Sequence, residues 1–259
     1  LPVGLDGRVR ADQVREAIGA QTGLVSIMYA NNETGVIQPV QEIGQICRDQ
    51  GVLFHTDAVQ AAGTLPIDVK KQKIDLLSLS AHKFNGPKGV GALYIRRGAL
   101  PQNLLEGGGQ ERGHRSGTEN VAEIVGMAQA LKGAAGQLEE KSHKLEKMRD
   151  REEEELLMIP GTRSNGKDGP RLPGIANISF TGIDGQSLIM ELDLRGIAAS
   201  SGSACNSGSM TPSHVLLAMG VPYRIAHGSL RLSFGVENRE EEIPVLIREI
   251  REAVKTLRK

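Results

Sequence analysis

The chain has 259 residues, of which 39% are hydrophobic and 24% charged, which is enough for a core in one large domain or two modest ones. Lysine plus arginine and aspartate plus glutamate each total 31, so the net charge of zero does not indicate a nucleic acid or a membrane surface as a partner. Because no apolar run is long enough to cross a bilayer and the first ten residues lack the pattern of a signal peptide, a cytoplasmic location is expected.

The first part of the sequence alternates short apolar runs with amphipathic stretches, which predicts strands and crossover helices in a mainly parallel sheet. The strand candidates, in chain order, are LVSIMYA, VLFHTDA, IDLLSLSA and GALYIRR. Between the first two, Pro39 is expected to open a helix with apolar positions at helical spacing: Val40, Ile43, Ile46 and Cys47. A buried structural thiol is therefore favoured for Cys47.

A second helix is predicted after Thr118, and its apolar face consists of Val121, Ile124, Val125, Ala128 and Leu131. This helix is expected to close a first domain, 1–133. The charge-rich stretch from Gln137 to Met158 is predicted to be a largely solvated helix, because its apolar residues are sparse. A coiled coil is not favoured, because too few heptads are present. A turn-rich connection follows at 160–174.

The remaining elements predict a smaller α+β domain, 134–259. Its strands are IANISF and SLRLSF. The last helix is expected to begin near Ile243, because Pro244 is tolerated only in the first turn. Its apolar face consists of Ile243, Leu246, Ile247, Ile250, Val254 and Leu257.

Polar residues follow each strand candidate of the first domain, where ligands gather in open α/β sheets. A lysine at a strand end is usually a solvated charge, but Lys83 has a hydroxyl and an imidazole beside it, from Ser80 and His82. Asp57 and Gln60 follow the adjacent strand. Together these groups suit a heteroaromatic cation, a phenolic oxygen, a phosphate and an imine.

That combination is typical of pyridoxal 5′-phosphate, whose aldehyde forms a Schiff base with a lysine and whose ring nitrogen pairs with an acidic side chain. Lysine suits this role because its pKa falls in a partly desolvated site. Thr118, at the start of a helix, is either a phosphate ligand or an ordinary N-cap.

Cys205 lies in AASSGSACNSGSMTPSH, where few apolar side chains are available to pack around a thiol, so a reactive thiol is favoured. Its setting differs too much from that of Cys47 for a disulfide to be expected. No metal site is predicted, because His214 and His227 lack a second cysteine at zinc spacing. Arg231, within a strand, is either an edge or ion-paired residue or a ligand for a carboxylate.

Five motifs occur in the order found in one family: SIMYANNETGVIQP, HTDAVQAAG, LSAHKFNGPKGVGALY, GGGQERGHRSGTEN and SSGSACNSG. The sequence resembles cysteine desulfurases, and its long serine- and glycine-rich loop resembles the group that serves nitrogen fixation and general iron–sulfur cluster assembly. The resemblance implies a class V aminotransferase-like enzyme of pyridoxal phosphate fold type I, like aspartate aminotransferase. This α/β fold has a mainly parallel sheet with helices on both faces and a smaller α+β C-terminal domain.

The resemblance also implies roles for the residues at the strand ends. Lys83 would form the Schiff base, Asp57 would pair with the pyridine nitrogen, and Gln60 would contact the ring hydroxyl. Ser80 and His82 would bind the phosphate, and His82 is also assigned to the catalytic residues beside Lys83.

The implied substrate ligands are Asn32, which would also lie near a cofactor oxygen, and Arg231. Thr118 would reach the phosphate of the other subunit in a homodimer. In the implied reaction L-cysteine displaces Lys83, whose amine then moves protons, and the Cys205 thiolate attacks the substrate sulfur. The products would be alanine and a persulfide that passes to a sulfur acceptor or iron–sulfur scaffold protein.

The resemblance begins inside the family pattern, and about the first third of that pattern is absent. That part includes a threonine-containing phosphate loop and a histidine that stacks on the cofactor. The sequence is therefore expected to be a fragment, to be completed by another polypeptide, or to bind the cofactor poorly or not at all. The alternative functions are a selenocysteine lyase and a non-catalytic sulfur-relay or scaffold module.

Overall fold

The computed structural model describes residues 1–99, 102–103, 105–202 and 211–258. The chain groups into two compact units. The parallel-sheet unit comprises Val14–Tyr29 and Val40–Leu138, and the antiparallel-sheet unit comprises Leu1–Gln13, Ala30–Pro39 and Glu139–Lys259. The domain bounds 1–133 and 134–259 stay a prediction. In the observed grouping, two N-terminal segments, Leu1–Gln13 and Ala30–Pro39, belong with the C-terminal residues.

The described part of the parallel-sheet unit contains a sheet with the strand order β1 (Leu24–Ser26), β2 (Leu53–Asp57), β3 (Leu76–Ser80) and β4 (Gly91–Ile95). Strands β1, β2 and β3 run parallel, and β4 pairs antiparallel with β3. The mainly parallel sheet predicted from the sequence is therefore confirmed, with each strand inside its predicted run.

Helices precede and connect these strands. Helix α1 (Ala11–Ala17) precedes β1, and α2 (Val40–Asp49) connects β1 to β2. Helix α2 begins immediately after Pro39 and buries the predicted apolar face, including Cys47. Burial, with the nearby charge of Asp75, raises the pKa of the Cys47 thiol to about 11. Cys47 is therefore the buried thiol predicted from its spacing.

Helix α3 (Val121–Gly136) packs on the segment that follows β3. The hydrophobic side chains that contact Ala62, Ala81 and Phe84 from this helix are Met127, Ala130, Leu131 and Ala134. The predicted apolar face was wrong at its N-terminal end, where Val121 and Val125 are 64% and 62% exposed. The packed face therefore combines Met127 and Leu131 with two alanines and excludes the two valines.

The antiparallel-sheet unit contains β5 (Thr162–Ser164), β6 (Ile175–Phe180) and β7 (Ser229–Ser233), in that order. Its helices are α4 (Leu138–Leu157, whose first residue is grouped with the other unit), α5 (Gly185–Asp193), α6 (His214–Ala218), α7 (Tyr223–Ala226) and α8 (Ile243–Leu257). Strands β6 and β7 and helix α8 confirm the sequence prediction, whereas β5 lies in the stretch expected to be a turn-rich connection. No helix in the described part of the chain combines the length and hydrophobicity needed to span a membrane.

Helix α8 begins at Ile243, and Pro244 lies in its first turn, as its missing N–H requires. The buried face of the helix carries Ile243, Ile247, Ile250, Ala253 and Val254. These residues pack in one core cluster with β6, β7 and α5. The predicted amphipathic helix on the small sheet is therefore confirmed.

Helix α4 was predicted to be largely solvated, and this was wrong for one of its faces. Leu145, Met148 and Leu156 are buried, and so are charged residues of the same face. Among these, Glu153 accepts two hydrogen bonds from Arg171, at 3.0 and 2.7 Å. The prediction failed because the partner of Glu153, Arg171, lies outside the helix, so the pattern of α4 alone does not reveal the ion pair.

Candidate active site

Polar side chains occupy one face of the parallel sheet near the carboxyl ends of its strands. The register pairs Ser26 with His55 and Asp57 with Ser78, and paired residues in a sheet project to the same face. Ser80, two residues after Ser78, lies on that face as well. The alternate residues Phe54, Thr56 and Leu77 are buried on the opposite face. The residues of β3 therefore alternate between the two faces of the sheet, and its two serines lie on the polar face.

The turns after β2 and β3 present further groups at this edge. Asp57 accepts a hydrogen bond from the amide of Val59 at 2.9 Å, which turns the chain toward Gln60. After Ser80, a 3-10 helix spans Ala81–Phe84. Its first and last residues are buried, and the two between them, His82 and Lys83, are exposed.

This short helix explains how a core strand delivers a lysine to the surface. Ala81 and Phe84 anchor its ends in the hydrophobic cluster that also contacts α3. Within the described residues, the side chains of Gln60, His82 and Lys83 form no hydrogen bond or ion pair. The structure thus brings Asp57 and Ser80 together with these groups at the carboxyl edge of β2 and β3.

Thr118 is exposed in the segment that precedes α3. The N-cap of α3 is Asn120, whose side chain accepts from the amide of Glu123 at 3.4 Å. The interpretation of Thr118 as the N-cap is therefore wrong, and its role as a phosphate ligand stays a prediction.

Asn32 and Arg231 lie together in the antiparallel-sheet unit. The Nη1 atom of Arg231, on β7, donates a hydrogen bond to the backbone carbonyl of Asn32 at 2.9 Å. Asn177, the partner of Arg231 on β6, donates from Nδ2 to the backbone carbonyl of Glu33 at 3.2 Å. The ANNETG turn is thus held on the small sheet by side chains of two adjacent strands. Cys205 lies outside the described residues, between Gly202 and Thr211.

Residues 1–246 match the model of the family described as aminotransferase class-V. The chain belongs to this family. Over 258 residues it is 54% identical to the cysteine desulfurase IscS of Methanosarcina thermophila, a match that covers 100% of this chain and 64% of that relative. The solved structure of a NifS-like protein from Rickettsia africae ESF-5 has a TM-score of 0.91 and 32% identity, covering 98% of this chain and 69% of that one. A solved structure of SspA in complex with cysteine has a TM-score of 0.74 and 36% identity, covering 90% and 65% of the two chains.

These similarities confirm the resemblance to cysteine desulfurases and the α/β fold with a mainly parallel sheet. The class V chain spans less than two thirds of the length of the Methanosarcina relative.

His55 is a residue of this site that the sequence analysis did not single out. Its Nδ1 atom lies 2.8 Å from the hydroxyl of Ser26, and its Nε2 atom lies 2.8 Å from the hydroxyl of Ser78. This row of hydrogen bonds crosses three strands, two residues before Asp57 on β2. Burial lowers the pKa of the imidazole, and the charge of Asp57 opposes that effect. The available signal was the period of two in LFHTD, which places the histidine and the aspartate on one face.

Proposed function

We propose that this chain holds pyridoxal phosphate at the polar edge of its parallel sheet. The observation that carries the proposal is the convergence there of a carboxylate, a hydroxyl and an amine, from Asp57, Ser80 and Lys83. A carboxylate complements a protonated pyridine nitrogen, and a lysine amine is the group that condenses with an aldehyde. Hydroxyl and imidazole groups suit a phosphate. The residues present therefore fit this cofactor.

The remaining contacts to the cofactor follow from the same assignment. Gln60 donates to the ring oxygen, and His82 binds the phosphate beside Ser80. Asn32 would contact a cofactor oxygen, and Thr118 would contribute to the phosphate site of a second subunit in a homodimer. These assignments are supported by the motifs that carry the residues.

The proposed activity is that of a cysteine desulfurase, which converts L-cysteine to L-alanine and leaves the sulfur on Cys205 as a persulfide. The names of the relatives and the SspA complex with cysteine support this choice of substrate. Arg231, on β7, binds the substrate carboxylate with its planar fork, and Asn32, whose backbone carbonyl accepts a hydrogen bond from Arg231, is the second substrate ligand.

The bound cofactor supplies an electron sink that makes the proton on the substrate α-carbon removable. The Lys83 amine takes that proton from the α-carbon and returns a proton later in the reaction. Asp57 would keep the ring nitrogen protonated. The Cys205 thiolate attacks the substrate sulfur, so that an S–S bond forms while the C–S bond breaks and its electron pair stays with carbon. Protonation of that carbon gives alanine.

The persulfide on Cys205 is then passed to a sulfur-acceptor or iron–sulfur scaffold protein. A thiolate of the acceptor attacks the outer sulfur, which regenerates the Cys205 thiolate. The proposed location is the cytoplasm.

The test begins with the visible absorbance of the purified protein after addition of pyridoxal phosphate, followed by borohydride reduction and mapping of the labelled lysine. Label on Lys83 and production of alanine from L-cysteine are expected, and Lys83→Ala removes both. Lys88→Ala is the matched control, because Lys88 is an exposed lysine of the following turn. Unchanged alanine production in Lys83→Ala contradicts the proposal.

Two further outcomes distinguish the alternative functions. Full activity of Cys205→Ala toward selenocysteine but not cysteine, with a wild-type preference for selenocysteine, indicates a selenocysteine lyase. Absence of the absorbance together with retained binding to an acceptor protein indicates a non-catalytic sulfur-relay or scaffold module.

A further inference from the structure

One face of the small antiparallel sheet is polar and yet fully buried. Asn177 and Ser179, alternate residues of β6, are both 0% exposed, and Asn165, which follows β5, is 1% exposed. The opposite face of β6 carries Ile178 and Phe180, which belong to the hydrophobic core cluster. Burial of polar side chains costs free energy unless they are hydrogen-bonded, so packing alone does not explain this composition. The three polar residues are called the polar layer below.

The hydrogen bonds of the polar layer end on the backbone of the ANNETG turn. The Nδ2 atom of Asn177 donates to the backbone carbonyl of Glu33 at 3.2 Å. Because a carbonyl only accepts, it determines which way the Asn177 amide faces, and the Oδ1 atom of that amide then accepts from Nδ2 of Asn165 at 2.8 Å. The same Nδ2 atom of Asn165 donates to the hydroxyl of Ser179 at 2.9 Å. The turn therefore sets the orientation of the amides in the layer.

This orientation leaves one polar atom of the layer unsatisfied. The Oδ1 atom of Asn165 is buried and has no hydrogen-bond partner among the described residues. An unsatisfied buried acceptor is unfavourable, and apolar residues of similar shape would avoid it. The polar layer is therefore not the most stable filling of this face, which is typical of groups that serve a site.

Asn177 and Arg231 are a cross-strand pair of β6 and β7, and they hold two successive carbonyls of the turn. The Nη1 atom of Arg231 donates to the carbonyl of Asn32 at 2.9 Å, next to the Glu33 carbonyl that Asn177 holds. The carbonyls of adjacent residues move together, because only two backbone torsions separate their peptide planes. The position of the Asn32 carbonyl therefore depends on the contact that Asn177 makes.

We propose that Asn177 is a positioning residue for the substrate carboxylate, and this inference rests on the function proposed above. By holding the Glu33 carbonyl, Asn177 keeps the Asn32 carbonyl where it accepts from Arg231. The guanidinium then meets a carboxylate in one orientation, as two parallel hydrogen bonds require. Asn177 itself does not touch the substrate and acts through the turn.

The effect of removing the Asn177 amide is expected to be local, because the turn has other attachments. The amide of Glu33 donates to Asn31 Oδ1 at 2.9 Å, and the amide of Leu172 donates to a carbonyl of the turn at 2.8 Å. Neither hydrogen bond involves Asn177. An apolar substitution therefore loosens the peptide groups beside Arg231 and leaves the turn attached to its unit.

The kinetic test separates substrate binding from turnover. Asn177→Leu keeps a similar shape but has no donor, and it is expected to raise KM for L-cysteine roughly fivefold, the size of one lost hydrogen bond. It leaves kcat within about twofold, because the lost interaction contributes equally to binding and to the transition state. The inhibition constant of L-alanine, which carries the same carboxylate, rises by the same factor. A merely structural role would lower the yield of folded enzyme and leave both constants unchanged.

The second readout requires neither cofactor nor turnover. Hydrogen exchange, measured by mass spectrometry on a peptide covering 30–37, becomes roughly fivefold faster in Asn177→Leu, because the turn opens locally more often. Circular dichroism and thermal unfolding check that the variant is folded. Asn177→Thr tests the inference if Asn177→Leu does not fold, since threonine favours strands and its hydroxyl lies one bond nearer the backbone.

Asn165→Leu is the matched control. It removes an amide of the same polar layer, with two hydrogen bonds, but leaves the contact between Asn177 and the Glu33 carbonyl in place. The control is expected to lower the free energy of unfolding as Asn177→Leu does, while KM and exchange in 30–37 stay within about twofold of the parent. An equal rise of KM in both variants would indicate a general loss of packing and overturn the inference.

Failure of the inference differs from failure of the proposed function. If the parent protein forms no alanine from L-cysteine, the desulfurase proposal fails, and the exchange experiment still decides whether Asn177 holds the turn. Unchanged exchange in Asn177→Leu, or faster exchange with an unchanged KM, overturns the inference.

Discussion

Arg231 and Asn32 lie 199 positions apart in the sequence, yet the guanidinium of Arg231 donates to the backbone carbonyl of Asn32 at 2.9 Å. A planar donor fork that already fixes part of a turn has little freedom left to reorient. The hydrogen bond therefore holds the guanidinium in one orientation as well as stabilising the turn.

Arg231→Lys is expected to raise KM for L-cysteine at least tenfold, because an ammonium group cannot make two parallel hydrogen bonds to a carboxylate while it also holds Asn32. Steady-state kinetics of alanine formation measure the effect. Arg195→Lys is the control, since Arg195 pairs with Glu191 and Glu249 elsewhere in the same unit. An unchanged KM in Arg231→Lys would exclude the arginine as a carboxylate ligand.

His55→Ala is expected to weaken pyridoxal phosphate binding roughly tenfold, by analogy with the loss of groups that orient a ligand residue. The substitution removes the imidazole that lies between the hydroxyls of Ser26 and Ser78, two residues before Asp57 on β2. Titration of the cofactor absorbance gives the dissociation constant. Thr56→Val is the neighbouring control: its hydroxyl is buried on the other face and has no hydrogen-bond partner among the described residues. Equal affinities in parent and His55→Ala would contradict this role.

Glu152→Gln is expected to change how stability depends on pH. Glu152 is fully buried, and neither carboxyl oxygen has a hydrogen-bond partner within the described residues. Desolvation, with the neighbouring charge of Glu153, raises its pKa from 4.5 to about 8. Between these values the folded state holds a proton that the unfolded state releases, so this group makes the parent protein less stable as pH rises.

The uncharged glutamine removes that slope and makes the variant more stable than the parent above pH ~8, by an amount on the order of a few kcal/mol. Urea unfolding at pH 5, 6.5 and 8.5 measures it. Glu153→Gln is expected to lower the free energy of unfolding at neutral pH, because it leaves Arg171 buried without its charged partner. Parallel pH profiles for Glu152→Gln and the parent would show that Glu152 is ionised in the folded state.

Gly44→Ala and Gly133→Ala form a matched pair of substitutions in helix interiors. A Cβ atom at Gly44, in α2, would lie 2.1 Å from the backbone oxygen of Gln72, whereas one at Gly133, in α3, meets nothing within 4 Å. The first is expected to destabilise the fold by about 3 kcal/mol or more. The second is expected to stabilise it by about 0.5–1 kcal/mol, because alanine restricts the unfolded chain. Urea unfolding gives the free energy of unfolding of each variant. A loss of stability in Gly133→Ala as well would contradict the open space around that position.

The sequence predicted the elements whose pattern is local. The start of α8 followed from Pro244, and β3 lies inside the apolar run IDLLSLSA. The row formed by Ser26, His55 and Ser78 could not be predicted in the same way, because it depends on the register of three strands that are distant in the chain.

Elements stabilised by distant partners were missed or misread. Strand β5 has only three residues, Thr162–Ser164, and shows no hydrophobic alternation. The buried charges of α4 resembled a solvated face because Arg171 and Ser164 lie beyond the helix.

The grouping of the chain into two units determines how the protein can be divided. The residues 30–39 leave β1, join the antiparallel-sheet unit through the carbonyl of Glu33 and a bridge from Val36 to Arg171, and then return to start α2. A C-terminal piece cut at residue 134 would lack this segment and, with it, the acceptors of Arg231 and Asn177. No single cut of the polypeptide yields both units whole, so their separate expression requires circular permutation or the joining of non-adjacent segments.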